Sequence, residues 1–437
     1  MKIALKTRTD GSVIILALIT AAVIGISLAS YLSLISTQST SVARSMNWNS
    51  AIPVLESGIE EALTQLHYTA VTNLSANSWS LGADGYYHKT RTVGTYGSYF
   101  DVSIRPTDPP TITSIGYVPT PLSSTANPTY VKRTVQVKTQ LRGMYVNALT
   151  VKGTVSLGQN FLVDSFDSTD PLYSTNGQYT ASKRKTGGDI ASIGGFVNEV
   201  QVDSSQIFGK VKTAPGGSMS IGNKGMVGDI AFQSNSSNQG KVQSGWYSDD
   251  LSMDLPNVEM PTMTFFSPVG GRVGGTNYDY ILTSGNWIAN GMFKGNILVT
   301  GNAVLYVPPD ATLHMSGSDG IIIAPGASLK IYNASTGNCI ICGVENGGGD
   351  ATKFAYYGLP SSAGGILSLN ANSRFVGTIY SPNQDVRLSS SNTSDLDFVG
   401  SVVANSATAS GHFLMHFDEN LKKSGGSSYV VLSWNEI

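Results

Sequence analysis

Between Asp10 and Arg44 the chain carries no charged side chain, and Ser12 to Ile35 is almost wholly apolar. At about 1.5 Å per residue, a helix from Ser12 to Ser36 is about 37 Å long, enough to cross a hydrocarbon core of about 30 Å. Val13, Ile14, Ile15, Leu16, Leu18 and Ile19 form its first turns and serve as its membrane anchor in this reading. Lys2, Lys6 and Arg8 precede the run. The positive-inside rule therefore leaves the N-terminus cytoplasmic and sends the remainder outward.

The helical signal continues past the apolar run. Ile52, Leu55, Ile59, Leu63 and Leu66 recur at steps of three or four, with Glu56, Glu60 and Glu61 on the opposite face. Pro53 removes one backbone donor and predicts a bend. From Ser12 to Leu66 the rod would be roughly 80 Å long, more than an anchor needs.

The leader ending in Gly11, the apolar run, and the stretch Pro53-Val54-Leu55-Glu56-Ser57-Gly58-Ile59-Glu60-Glu61-Ala62-Leu63 resemble the N-terminal segment of PilX-family type IV minor pilins. The resemblance implies cleavage by a prepilin peptidase between Gly11 and Ser12. It also implies a stem that joins other pilin-like subunits in a filament core. Major pilins carry a glutamate at the fifth mature position, where this chain has Leu16. That departure points to a minor or tip subunit of a pilus or secretion pseudopilus rather than the bulk subunit. The alternative is an uncleaved signal anchor. A signal peptide removed elsewhere fits poorly, because the apolar region is too long and no A-x-A-like site follows it closely.

The chain has 437 residues, enough for two or three domains. Charged residues are only 13%, about half the usual share, and the 48 glycines accompany many Ser, Thr and Asn. Val and Ile recur throughout, so this composition suits a turn-rich extracellular β protein rather than a disordered one. A formal net charge of −2 offers no basic face for nucleic acid. Residues 1–11 are read as the leader, 12–67 as the transmembrane and stem helix, and 68–143 as a small antiparallel collar sheet. That sheet has strands near Tyr99–Arg105, Thr111–Val118 and Tyr130–Lys138.

Residues 144–420 are read as a right-handed parallel β-helix head, and 421–437 as a strand capping it. Six segments share the form bulky residue, any residue, Gly, any residue, Ile or Val; their glycines are Gly153, Gly209, Gly228, Gly295, Gly377 and Gly400. Between Ile297 and Ile331 apolar triplets recur about every eight residues, so three strands make a coil of about 24 residues. Inward positions take Ile, Val, Leu and Phe, and glycine permits the sharp turns between strands. A β-sandwich is the competing reading. If Gly377 and Gly400 hold one place in successive coils, valine there should cost more than valine at Ser390 in a polar loop. From Phe375-Val376-Gly377 to His416-Phe417-Asp418-Glu419-Asn420-Leu421 the chain also resembles a β-helical bacterial domain found behind PilX-type N-termini, over roughly residues 290 to 421. No activity follows from that resemblance.

No enzyme, cofactor or metal is expected. Some parallel β-helices cleave polysaccharides, but the nearest approaches to their motifs are Asp249-Asp250, beside a Pro-rich crossover, and Gly411-His412-Phe413. Asp164-Ser165-Phe166-Asp167-Ser168-Thr169-Asp170-Pro171 offers oxygen ligands, yet Asp and Ser before Pro ordinarily build turns. Cys339 and Cys342 lack the helix N-terminus or further ligands that redox or zinc chemistry needs, and read as buried fillers. His416 reads as packing at the end of the solenoid. Asp418 reads as a cap on a short helix from Glu419 to Lys423, with Glu419 in its first turn. The non-filament alternative is a permanently anchored head that binds a surface glycan.

Overall fold

The computed structural model describes residues 10–68, 74–75, 77–94, 97–107, 109–120, 128–158, 160–370, 373–389, 395–423 and 428–437. The leader before Asp10 and the comparison residue Ser390 lie outside them. The fold is mainly β, with one long N-terminal apolar helix, Asp10–Tyr68, which continues through Pro53. Two compact units are present, one up to Leu141 together with the C-terminal strand, the other from Arg142 onward.

In the first unit the lower half of the helix lies on an antiparallel sheet. The strands run in the order Ser80–Leu81, Tyr87–Val93, Ser98–Arg105, Thr111–Pro119, Tyr130–Arg142 and Ser428–Glu436. Alternation decides the faces. Phe100, Val102 and Ile104 are buried, and Ile112, Val135 and Val137 meet them from the neighbouring strands. The helix answers with Ala51, Val54, Leu55, Ile59, Ala62 and Leu66, whereas Ile52 and Leu63 are only half-buried. The buried face is therefore turned toward the small residues Ala51, Gly58 and Ala62, which the apolar stripe alone does not reveal.

Small residues let the two backbones approach. A Cβ on Gly58 would collide with Ser114 and Phe100, and one on Gly116 with the Ala51 carbonyl and the Leu55 amide. Ser114 Oγ donates to the Leu55 carbonyl at 2.8 Å. Glu61 is not a free solvent-facing residue as the pattern suggests. It pairs with Lys89 Nζ at 2.5 Å and Arg91 at 2.8 Å, and the Lys89 hydrogen bond leads in holding its carboxyl below the usual range.

The expected capping role of 421–437 is corrected here. Ser428–Glu436 adds to the sheet of the first unit beside Tyr130–Arg142, and Arg133 holds Glu436 through two bonds of 2.7 and 2.5 Å. A strand needs a hydrogen-bonding edge, and the open one was supplied by a strand nearly three hundred positions earlier in the chain.

The second unit is one largely parallel sheet whose strands form three ladders. The first ladder stacks Tyr280, Ile297, Ile321, Val344, Phe375, Phe398, Met415, Val163, Ile207, Val227 and Val242. The second stacks Trp287, Leu305, Ile331, Tyr356, Ile379, Val402, Leu149, Ile190, Val211 and Tyr247. The third stacks Cys339, Leu367, Val386, Ala407, Val155, Val200 and Met219. Like sits on like, and nearly all of these side chains share one buried cluster. Phe375 and Phe398 stack at 4.7 Å with their rings 5° apart.

The order of these layers differs from the order of the chain. The chain joins the stack in its middle at Leu149, beside Val402. It proceeds outward to Tyr247–Ser248, then returns along the outside, and resumes at the opposite end. From there it advances until Phe413–Asp418 pairs with Leu162–Phe166. The first and last residues of the unit consequently lie side by side, with the Gly143 amide donating to the Lys422 carbonyl at 3.0 Å. His416 therefore sits at an internal joint and not at the end of a solenoid.

The returning segment, residues 249–268, has almost no regular structure and lies on a row of tyrosines. Tyr306, Tyr332, Tyr357 and Tyr380 are successive partners on the second ladder, facing away from the buried row of Leu305, Ile331, Tyr356 and Ile379. Leu255 is buried, Val258 and Met260 pack against the Tyr332 cluster, and Tyr380 Oη donates to the Pro256 carbonyl at 2.8 Å. Pro256 and Pro261 suit a segment with no ladder of its own, because proline cannot donate.

The six repeat glycines do not hold one position. Gly209, Gly228, Gly377 and Gly400 follow strands of the first ladder, Gly153 leaves the second, and Gly295 precedes the first. Gly377 and Gly400 are direct partners. A Cβ on Gly209 would meet the Gly188 carbonyl, one on Gly228 would meet Gln243 and Phe232, and Gly295 has φ +101 with Asp279 against it. Gly153 alone of the six has room.

Candidate functional site: the exposed N-terminal helix

The helix Asp10–Tyr68 has 59 residues and so is about 88 Å long. Its two halves differ in what surrounds them. Below Ala51 it is covered by the sheet. In the upper half Val13, Ile14, Ile15, Leu16, Leu18 and Ile19 are 52–69% exposed, and Val23, Ile24, Leu28, Leu32 and Leu34 are exposed as well. Such an apolar surface on all sides is far larger than a soluble monomer ordinarily leaves open. The helix is long and apolar enough to cross a membrane.

Its polar residues fit an apolar environment. Thr20 Oγ1 donates to the Leu16 and Ala17 carbonyls, Thr37 to Ser33 and Thr40 to Ser36, each at 2.9 to 3.0 Å. Hydroxyls bonded back to their own helix need no water. Gly11 and Ser12 lie within the helix.

The side chains that suggested chemistry are held in structural roles. Asp167 accepts from the amide and hydroxyl of Thr169, and Asp170 from the Leu172 amide, as turn-building aspartates do. Asp418 accepts from the amides of Ser168 and Asn420, both at 3.1 Å, and so caps the short helix Glu419–Lys423. Burial raises its carboxyl above the ordinary range. Glu419 accepts from Ser165 at 2.9 Å and Lys185 at 2.5 Å. His412 lies 3.1 Å from Asp395 on the surface, and Asp249 and Asp250 are exposed. Cys339 and Cys342 are buried and form no disulfide. Cys339 occupies an aliphatic place in the third ladder, and burial raises both thiols. Among the described residues no three His, Cys, Asp or Glu side chains are grouped to hold a metal.

Sequence reasoning read Asp164 as a turn residue and missed its pairing with His416. It is fully buried, 2.6 Å from His416 Nδ1, and 252 positions from it in the chain. It also missed a cleft of about 510 Å³ on the outer side of the first ladder, floored by Leu298, Ile322 and Val376 and edged by Glu345 and Arg374. Outward-facing Leu298 and Ile322, in a row expected to be polar, were its only signal.

Residues 300–424 match the model of a domain of unknown function, DUF7305. No curated protein matches the chain. Among solved structures, the chain is similar to the competence-associated pilin ComZ from Thermus thermophilus. The identity is 12%, covering 90% of this chain and 98% of that one, with a TM-score of 0.21.

Proposed function

We propose that this chain is a non-enzymatic, pilin-like envelope protein, a minor or tip subunit of a type IV pilus or pseudopilus. Its upper helix enters the inner membrane and later the filament core, while both β units stay outside the cytoplasm. The three ladders are read as a right-handed parallel β-helix, carried as a head for surface contact. One observation carries the proposal. A single helix exposes an apolar first half on every side and packs its second half onto an antiparallel sheet, which suits a subunit that must leave lipid for a protein core. Leu16, where a bulk subunit would have a glutamate, supports the minor or tip role.

The test is the composition of sheared surface filaments. The protein is expected in the sheared fraction, and Ile19→Arg, which puts a charge on the apolar stem, is expected to lower its amount there while leaving it in the membrane. An arginine costs about 2.5–3.5 kcal/mol at the centre of a span on insertion scales, and somewhat less at Ile19, nearer its start. Wild-type protein confined to the membrane fraction would instead make it a permanently anchored head.

A further inference from the structure

The joint where the chain's first strand block meets its last is built differently from the rest of the stack. Elsewhere the outer side of the first ladder carries Leu298, Ile322, Val376 and Val399, with one charged member, Glu345, which is exposed to water. At the joint the same row continues as His416 and then Asp164, which are direct partners across the last rung. Both are shut away from water, at 1% and 0% exposure.

His416 Nδ1 lies 2.6 Å from Asp164 Oδ1, and Nε2 lies 3.5 Å from Asp397 Oδ1 on the preceding layer. The ring of Tyr179 covers the imidazole at 3.5 Å, nearly parallel, and its hydroxyl donates to Asp164 Oδ2 at 2.7 Å. Arg184 Nε is 3.3 Å from the same Oδ2, and its guanidinium lies over Phe208. Tyr179 and Arg184 belong to the segment that joins Leu162–Phe166 to Ile190–Ser192. Arg374, just before Phe375–Ser389, adds positive charge near Asp397.

We propose that Asp164, His416 and Asp397 form a proton-operated latch closing the joint between the two strand blocks. A neutral imidazole donates from one nitrogen only, so with Nδ1 bonded to Asp164 its Nε2 lone pair would face the Asp397 carboxylate. An imidazolium donates from both and meets a carboxylate on each side. Burial opposes that charge, but the Asp164 hydrogen bond and the Asp397 carboxylate 3.5 Å from Nε2 outweigh it and hold His416 above its ordinary 6.5. A group bound more tightly to its proton when closed stabilises the closed joint fully below the open-state value. That contribution is lost as pH rises through the closed-state value. Asp164 keeps Tyr179 and Arg184 when the proton leaves, so the joint loosens without the core coming apart.

The test is hydrogen exchange of the full chain in detergent micelles, corrected for intrinsic rates, at steps from pH 5.5 to 9. Peptides covering 162–166 and 413–418 are expected to be protected at pH 6. Above about 6.5 their opening should rise by up to about tenfold per pH unit until His416 is deprotonated. The strand Asn302–Val307, remote from the joint, should show no such step. His416→Gln should abolish the step. Asp397→Asn, at a half-exposed site, should fold normally and move the step to lower pH. Equal protection of the joint across the range in wild type would overturn the latch. So would the same step in His416→Gln, or a step unmoved in Asp397→Asn should the histidine variant fail to fold.

Discussion

Gly400→Val is expected to lower the stability of the second unit by about 3–5 kcal/mol, the largest loss of any single glycine replacement there. Gly400 has φ +148, which a β-branched residue adopts only under strain, and a Cβ on it would fall on the carbonyl oxygen of its ladder partner Gly377. Backbone cannot step aside as a side chain can. Gly377→Val meets the ring of Phe354 instead, which can give way, and should cost about 1–3 kcal/mol. Gly153→Val has only the Asn405 carbonyl in reach, at 3.4 Å, and should cost under about 1 kcal/mol. Urea midpoints of the detergent-solubilised full chain, followed by far-ultraviolet circular dichroism, rank the three. Equal midpoints for Gly153→Val and Gly400→Val would contradict the packing described.

Gly116→Val is expected to do comparable damage in the first unit, about 2–4 kcal/mol. Its would-be Cβ points at the Ala51 carbonyl and the Leu55 amide, both helix backbone, so the helix must move off the sheet. Moving it opens the contacts of Leu55, Ile59 and Phe100 and stretches the bond from Ser114 to the Leu55 carbonyl. Ser114→Ala removes that bond without adding bulk and should cost only about 1 kcal/mol. Limited proteolysis near Tyr68, read by mass spectrometry, distinguishes them. Gly116→Val should be cut early and Ser114→Ala at nearly the wild-type rate, whereas resistant Gly116→Val would place the helix farther from the sheet.

What could be read in the sequence was local. The apolar run from Ser12 to Ile35, the three collar strands from Tyr99 to Lys138 and the triplets around Leu298, Leu305 and Ile322 announce themselves through periodicity over a few residues. Pairings across long separations left no such trace. Nothing near Tyr429–Trp434 says that its edge partner is Tyr130–Arg142, and an isolated alternating strand fits a solenoid cap equally well. The same limit hid Asp164 from His416, since each taken alone resembles a turn residue or a packed histidine. The chain's path, joining its stack in the middle and returning over a tyrosine row, is set by contacts hundreds of residues apart. The Pro-bearing crossover at Leu255 to Pro261 was visible, but not what it covers. The glycine motif was visible too, while its division among three corners depends on layer order that the motif does not encode.

The exposed helix is expected to be that of a processed pilin-like subunit. Mass spectrometry of the intact chain, purified from cells that hold their own prepilin peptidase and from cells lacking it, reads this directly. The chain is expected to begin at Ser12 in the first and at Met1 in the second. A chain that still begins before Ser12 when the peptidase is present would contradict this.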